Sequence, residues 1–131
     1  MYFYGIFRSV KRDILAFGVA DLGGTPIYSS LGEEIGLKDP NLISPALVGI
    51  FFLIQEVSGE KELLVLGRSP AIIILKGERT FLWTLARKAY PKFIKMLKTK
   101  LKRIEEEASE ETLELFGREE LERRIHEILS F

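Results

Sequence analysis

A long run of apolar residues, from Asn41 to Val57, dominates the pattern of hydrophobic and polar positions in the sequence. Its members recur at spacings of three and four, the period of a helix, and at ~100° per residue they form a face about 140° wide. The face comprises Leu42, Ile43, Ala46, Leu47, Ile50, Leu53, Ile54 and Val57. Because such a face packs on a core, the stretch predicts a central helix, with Asn41 suited to its N-cap.

The other side of this helix is also apolar, because Val48, Phe51 and Phe52 lie on it. A helix that is apolar nearly all round is buried nearly all round. Two interpretations stay open. Either the C-terminal helix of the same chain covers these three residues, or they form an interface with a second copy or a partner protein.

Shorter apolar runs bounded by glycine and proline predict β-strands. They span Asp13 to Ala20, Ile27 to Ser30, Glu62 to Gly67, Ala71 to Leu75, and Thr80 to Leu85. The run from Ala71 to Leu75 is apolar throughout, so we expect both of its faces to be covered.

Two further helices are predicted after the last strand. Pro91 suits the first turn of one of them, and the other follows Gly117 over Arg118 to Leu129. The segment from Ala108 to Phe116 is either a break or a continuation, and Met1 to Arg12 is either a helix or a strand.

The resulting order is strand, strand, helix, three strands, helix, helix. Two hairpin groups that bracket one crossover helix favour a five-stranded antiparallel sheet with helices packed on it, an α+β sandwich. The 131 residues suit a single domain, 1–131, in which 108–131 is a C-terminal helical extension.

Composition excludes several classes of function. The formal net charge is zero, so no overall field attracts nucleic acid, and the absence of cysteine excludes disulfides and thiolate chemistry. The longest apolar block is too short for a transmembrane segment, and we expect a cytoplasmic protein. The chain has one asparagine and one glutamine among many charged residues, a bias typical of thermophiles.

No motif for catalysis or for a cofactor is present. The segment from Asp21 to Pro26 is glycine-rich but lacks the lysine of a phosphate-binding loop, so we interpret it as a hairpin turn. His126 is the only histidine, which leaves too few ligands for a metal site. Ser29, Ser30 and Ser44 lack the context of a nucleophile. We therefore expect a protein that is not an enzyme and binds no cofactor.

A basic stripe marks the second predicted helix. Between Arg87 and Arg103 there are eight positive residues and no acidic one. We expect Lys92, Lys95, Lys98 and Lys102 to be exposed on one face. The stripe is either a solvated helix face or a contact for an acidic partner or a membrane surface. Nucleic acid is disfavoured because no recognised binding motif accompanies the charge.

The order of elements resembles the longin domain and the related roadblock (dynein light chain 7-like) domain, within the longin/roadblock/profilin-like sandwiches. The resemblance is carried mainly by residues 13–59, with the turn GGTPIYSS and the crossover helix DPNLISPALVGIFFLIQEVSG. A third helix after Gly117 favours longin, whereas a helical Met1 to Arg12 would favour roadblock.

This resemblance implies a non-enzymatic interaction module that binds or regulates a small GTPase or scaffolds a complex, and roadblock-type members commonly form homodimers. On this view Val48, Phe51 and Phe52 are the predicted interface residues. The alternative is a sensor domain that holds a small apolar ligand between the sheet and the central helix, although no convergent polar group is present to orient one.

Overall fold

The computed structural model describes residues 14–31, 40–108 and 110–130, in which the strands and helices follow the predicted order. The strands are β1 (Ile14–Asp21), β2 (Pro26–Leu31), β3 (Leu63–Leu66), β4 (Ala71–Lys76) and β5 (Thr80–Ala86). The helices are α1 (Ile43–Ser58), α2 (Pro91–Glu107) and α3 (Glu110–Ile128). The alternatives for Met1 to Arg12 lie outside the described residues.

The start of α1 differs from the prediction by one residue. A 3-10 turn, Pro40–Leu42, leads into the helix, so that Leu42 rather than Asn41 is the N-cap, without a side-chain hydrogen bond. Pro45 lies in the first turn of α1, where the N–H that it lacks would have no helical partner. The helix ends at Gly59, which has a φ of 76° and donates its N–H to the carbonyl of Gln55 at 2.9 Å.

The five strands form one antiparallel sheet in the order β2-β1-β5-β4-β3. The crossover through α1 carries the chain from β2, at one edge, to β3, at the other. The predicted five-stranded antiparallel sheet is therefore confirmed, and β5 is its central strand. The expectation that β4 is covered on both faces is also confirmed, since Ile73 and Ile74 point to opposite sides and both are fully buried.

One layer of helix covers each face of the sheet. On one face α1 packs against β1, β4 and β5. On the other face α2 and α3 lie together, and their apolar residues Phe93, Leu97, Leu121 and Ile125 join the second half of the core. The segment after α2, for which the sequence left a break or a continuation open, is helical from Glu110 as part of α3. This helix has an internal kink at Gly117, whose φ of 75° and ψ of 178° are not helical.

The end of α2 is tied to the turn between β4 and β5. The Glu105 carboxylate accepts hydrogen bonds from the backbone N–H of Thr80 at 2.8 Å and from its hydroxyl at 2.6 Å. The N–H of Arg79 donates to the same carboxylate. A Cβ at Gly77 would overlap that carboxylate, so a larger residue there would displace the Glu105 side chain from these bonds. These bonds give Glu105 a structural role at the end of the helix.

Candidate functional site

The face of α1 that packs on the sheet is not the predicted one. Its buried residues are Ser44, Leu47, Val48 and Phe51. They meet Phe81 and Trp83 of β5 and alanines of β1 in the core cluster. The buried face is rotated by roughly 120° from the predicted one, at ~100° per residue. The prediction that the sheet covers Leu42, Ile50, Leu53 and Val57 is therefore wrong.

A buried hydrogen bond explains this orientation. The indole N–H of Trp83 donates to the Ser44 hydroxyl at 2.9 Å, and both groups are buried. The indole lies over Gly18, where any Cβ would overlap the ring. Because a buried indole N–H without an acceptor is costly, Ser44 faces the sheet although a hydrophobicity pattern places serine outside. Ser44 therefore has a structural role in the core.

Two of the three predicted interface residues belong to the core of their own chain. Val48 is 4% exposed and Phe51 is 1% exposed, so the prediction that they lie on an uncovered side of the helix is wrong. Phe52 lies at the border, 39% exposed, with its ring edge-on to Phe51 and Phe81 at centroid distances of 6.1 and 5.6 Å. The alternative in which the C-terminal helix covers these residues is also wrong, because α3 packs on the opposite face of the sheet.

The apolar surface that the chain leaves open is the solvent side of α1. Leu42, Leu53 and Val57 are 65%, 67% and 85% exposed, and Ile50 is partly exposed. We call this surface the outer face of α1, and it consists of Leu42, Ala46, Gly49, Ile50, Leu53 and Val57. Sequence reasoning found these residues but assigned them to the core, since an apolar stripe looks alike whether a sheet or another molecule covers it.

The outer face has the features of a docking surface for another backbone. None of its six residues is charged, and the exposed Glu56 lies at its border. A Cβ at Gly49 would meet nothing within 4 Å, so the helix surface is open at this position. Contiguous exposed apolar residues of this kind mark interaction sites on folded proteins.

The four lysines of the basic stripe lie where the sequence predicts. Lys92, Lys95, Lys98 and Lys102 are all exposed on α2, opposite the residues that pack on the sheet. Lys100 is different, because its ammonium group donates to the carbonyl of Ile128 at 2.7 Å and burial lowers its pKa. The basic stripe and the outer face of α1 therefore lie on opposite sides of the sheet.

The other candidate positions have structural roles. Asp21 accepts hydrogen bonds from the N–H groups of Gly23 at 3.0 Å and Thr25 at 2.9 Å, which fixes the predicted hairpin turn. The Nδ1 of His126 is 2.8 Å from the hydroxyl of Tyr28, whose pKa is raised by burial and by the nearby Glu122. Among the described residues no group of three or more potential ligands is arranged to hold a metal ion. No helix in the described ranges is long and apolar enough to cross a membrane.

The position expected for an apolar ligand is occupied by side chains. Between α1 and the sheet, Phe51 packs edge-on against Phe81 at a centroid distance of 5.2 Å, next to the bond between Ser44 and Trp83. A groove of about 580 Å³ lies instead on the other side of the sheet, between α2 and the turn that holds Gly77. Its lining mixes carboxylates such as Glu62 and lysines such as Lys98 with the apolar Leu101.

The fold is of the longin/roadblock type, as shown by the crossover helix, the sheet order and the paired helices. This fold confirms the resemblance found in the sequence. The chain is similar in structure to the gliding protein MglB from Thermus thermophilus, with a TM-score of 0.53 and 12% identity over 95% of this chain and 88% of that one. It is similar to Myxococcus xanthus MglB with a TM-score of 0.56 and 18% identity, over 75% of this chain and 89% of that one.

A further similar structure is MglB with a tetrameric arrangement, at a TM-score of 0.54 and 12% identity over 96% of this chain and 89% of that one. No protein-family model matches the sequence, and no curated protein matches it. Identities of this size show a shared fold.

Proposed function

We propose that the chain is a non-enzymatic protein-interaction module that forms a homodimer through the outer face of α1 and regulates a small GTPase or scaffolds its complex. The observation that carries the first part is the exposure of Leu42, Leu53 and Val57 on a helix whose other side is fully packed. Burial of each of these side chains against a partner would contribute about 1.5–3 kcal/mol of favourable free energy, which is absent while they lie in water.

A second copy of the same chain suits the outer face. In a two-fold contact the same patch lies on both sides, so a charged patch would repel itself. The outer face contains no charge, and Gly49 allows two helices to approach closely. The similarity in fold to MglB with a tetrameric arrangement supports association between copies of this chain.

The proposal of a small GTPase as partner rests on the fold. Longin and roadblock domains resemble this chain in the order of their elements, and that resemblance implies binding or regulation of small GTPases. The catalytic groups that hydrolysis would need belong to the GTPase in this proposal.

Binding of purified small GTPases from the source organism tests this function. Each GTPase would be loaded with GDP or with a non-hydrolysable GTP analogue and titrated against the immobilised chain in biolayer interferometry. We expect one GTPase to bind, with affinities for its two nucleotide states that differ by about tenfold or more, as coupling of 1–3 kcal/mol predicts. Lys61→Glu, an exposed change in the loop between α1 and β3, is the control for nonspecific charge effects.

The proposal fails if no GTPase of the source organism binds in either nucleotide state while the protein remains folded. Equal affinity for both states would support a scaffold and contradict a regulator. Measuring GTP hydrolysis by the partner with and without the chain then distinguishes activation from inhibition.

A further inference from the structure

The basic stripe of α2 contains no apolar or aromatic residue that could form the centre of a protein interface. Protein interfaces have an apolar or aromatic centre that carries most of the binding energy. Among the described residues, the large exposed apolar side chains lie mainly on and beside α1, and none lies within α2. Lys92, Lys95, Lys98 and Lys102 therefore offer charge alone, on a convex helix about 25 Å long at 1.5 Å per residue.

The positions of these lysines disfavour the helix that carries them. The first turn of α2 contains Lys92 and no acidic residue, and the last turn contains no basic residue. Because the N-terminal end of a helix carries partial positive charge, a lysine there is unfavourable. The lysines also follow one another at spacings of three and four, where like charges repel. A local arrangement that opposes stability is expected where the residues serve a function.

The acidic end of the same helix has a structural explanation, and the basic beginning has none. Glu105 binds the turn after β4, and Glu107 pairs with Arg124 of α3. Within the part of the chain that the structure describes, no carboxylate forms an ion pair with Lys92, Lys95, Lys98 or Lys102. Lys98 and Lys102 line the groove that also holds carboxylates such as Glu62 and Glu106, so Lys92 and Lys95 are the charges most available to an anionic partner.

We infer that this face of α2 binds the surface of an anionic membrane. Lipid headgroups present diffuse negative charge on a flat surface and require no pocket, and lysines near such a surface each add roughly a fivefold factor in affinity. Tyr90, 47% exposed, lies just before the helix and is a residue type that favours the membrane interface. Within α2 itself no aromatic side chain is exposed on which nucleic acid bases could stack.

The position of this face gives the inference a consequence for the whole molecule. The basic face lies across the sheet from the outer face of α1, so a protein bound to α1 does not cover it. The module would hold a protein on one side and a membrane on the other. The inference does not depend on the identity of the protein partner, and its test does not require one.

Cosedimentation with vesicles tests the inference. The full chain would be mixed with vesicles of phosphatidylcholine and phosphatidylserine at 70:30, and with phosphatidylcholine alone, in 50 mM and 500 mM NaCl. We expect binding to the anionic vesicles at low salt only, because screening at high salt weakens exposed charge interactions. Lys92→Gln/Lys95→Gln should bind about 30-fold more weakly. The matched control Lys61→Gln/Arg68→Gln removes two exposed positive charges outside α2 and should bind like the wild type.

A second variant distinguishes lost binding from lost folding. Lys92→Glu/Lys95→Glu reverses the charge at the beginning of α2, so its Tm should rise by about 3 °C while vesicle binding disappears. Three results would overturn the inference: no binding of the wild type to anionic vesicles, equal loss in the control variant, or equal binding to duplex DNA at the same salt concentration. A lower Tm for the Glu variant would show that the lysines stabilise the helix.

Discussion

The hydroxyl of Ser44 decides which side of α1 faces the sheet. It is the acceptor for the indole N–H of Trp83, and neither residue is exposed to more than 1%. A single polar contact in an apolar cluster fixes one orientation of the helix, because other rotations of α1 would leave the indole N–H buried without an acceptor.

Ser44→Ala should lower the free energy of unfolding by about 1–3 kcal/mol, since it leaves the Trp83 N–H unsatisfied in the core. Urea unfolding followed by tryptophan fluorescence measures this, because Trp83 is the only tryptophan. Thr99→Ala, at an exposed hydroxyl on α2, is the control and should change stability by less than about 0.5 kcal/mol. If Ser44→Ala is as mild as the control, this hydrogen bond does not determine the orientation of the helix.

At the scale of elements, a substitution at Gly49 should act differently on a free α1 helix and on an α1 helix that contacts a second copy. In the single chain its Cβ position is open to solvent, so alanine should stabilise the helix by about 0.5–1 kcal/mol. In a close contact between two α1 helices the added methyl group would push them apart. Gly49→Ala should therefore raise the stability of the monomer and weaken the dimer, which thermal unfolding over a series of protein concentrations would detect.

Gly59→Ala provides the comparison for this experiment. Gly59 also has open space around its Cβ position, but its φ of 76° is left-handed, so alanine there is strained. We expect that variant to lose stability at every concentration. If Gly49→Ala leaves the concentration dependence unchanged, Gly49 is not part of a helix–helix contact.

The order of the elements and the bounds of the strands could be predicted from the sequence to within one or two residues, whereas the start of α3 at Glu110 and the side of α1 that faces the sheet could not. Turn residues such as Pro26 and Gly59 interrupt the apolar runs, and period-two or period-three-to-four spacing separates strands from helices. The side of α1 that faces the sheet could not be predicted because Leu53 and Val57 are as apolar as core residues. In addition, the hydrogen-bond partner of Ser44 is 39 residues away in the sequence. Hydrophobicity alone therefore assigned the outer face to the core, while the exposure of Lys92 and Lys98 on the more clearly amphipathic α2 was predicted correctly.

For the whole molecule, the arrangement is a sheet with different surfaces on its two sides. The outer face of α1 is apolar and uncharged, and the opposite side presents the lysines of α2 next to α3. Apolar surface provides affinity for a protein, and exposed charge provides attraction to a polyanion. The fold thus separates the two proposed contacts by the thickness of the sheet and its helices, so both can be made together.

The central claim is that the outer face of α1 is an interface between copies of this chain. Sedimentation-velocity ultracentrifugation of the wild type and of Leu53→Glu, from 1 to 200 µM, tests it most directly, with circular dichroism to monitor folding. We predict a wild-type dimer and a folded Leu53→Glu monomer, because Leu53 is 67% exposed in the single chain and a buried, unpaired carboxylate in the contact is costly. Phe51→Glu, one of the core residues, should unfold instead. A wild type that remains monomeric at 200 µM, or a Leu53→Glu variant that remains a dimer, would contradict the claim.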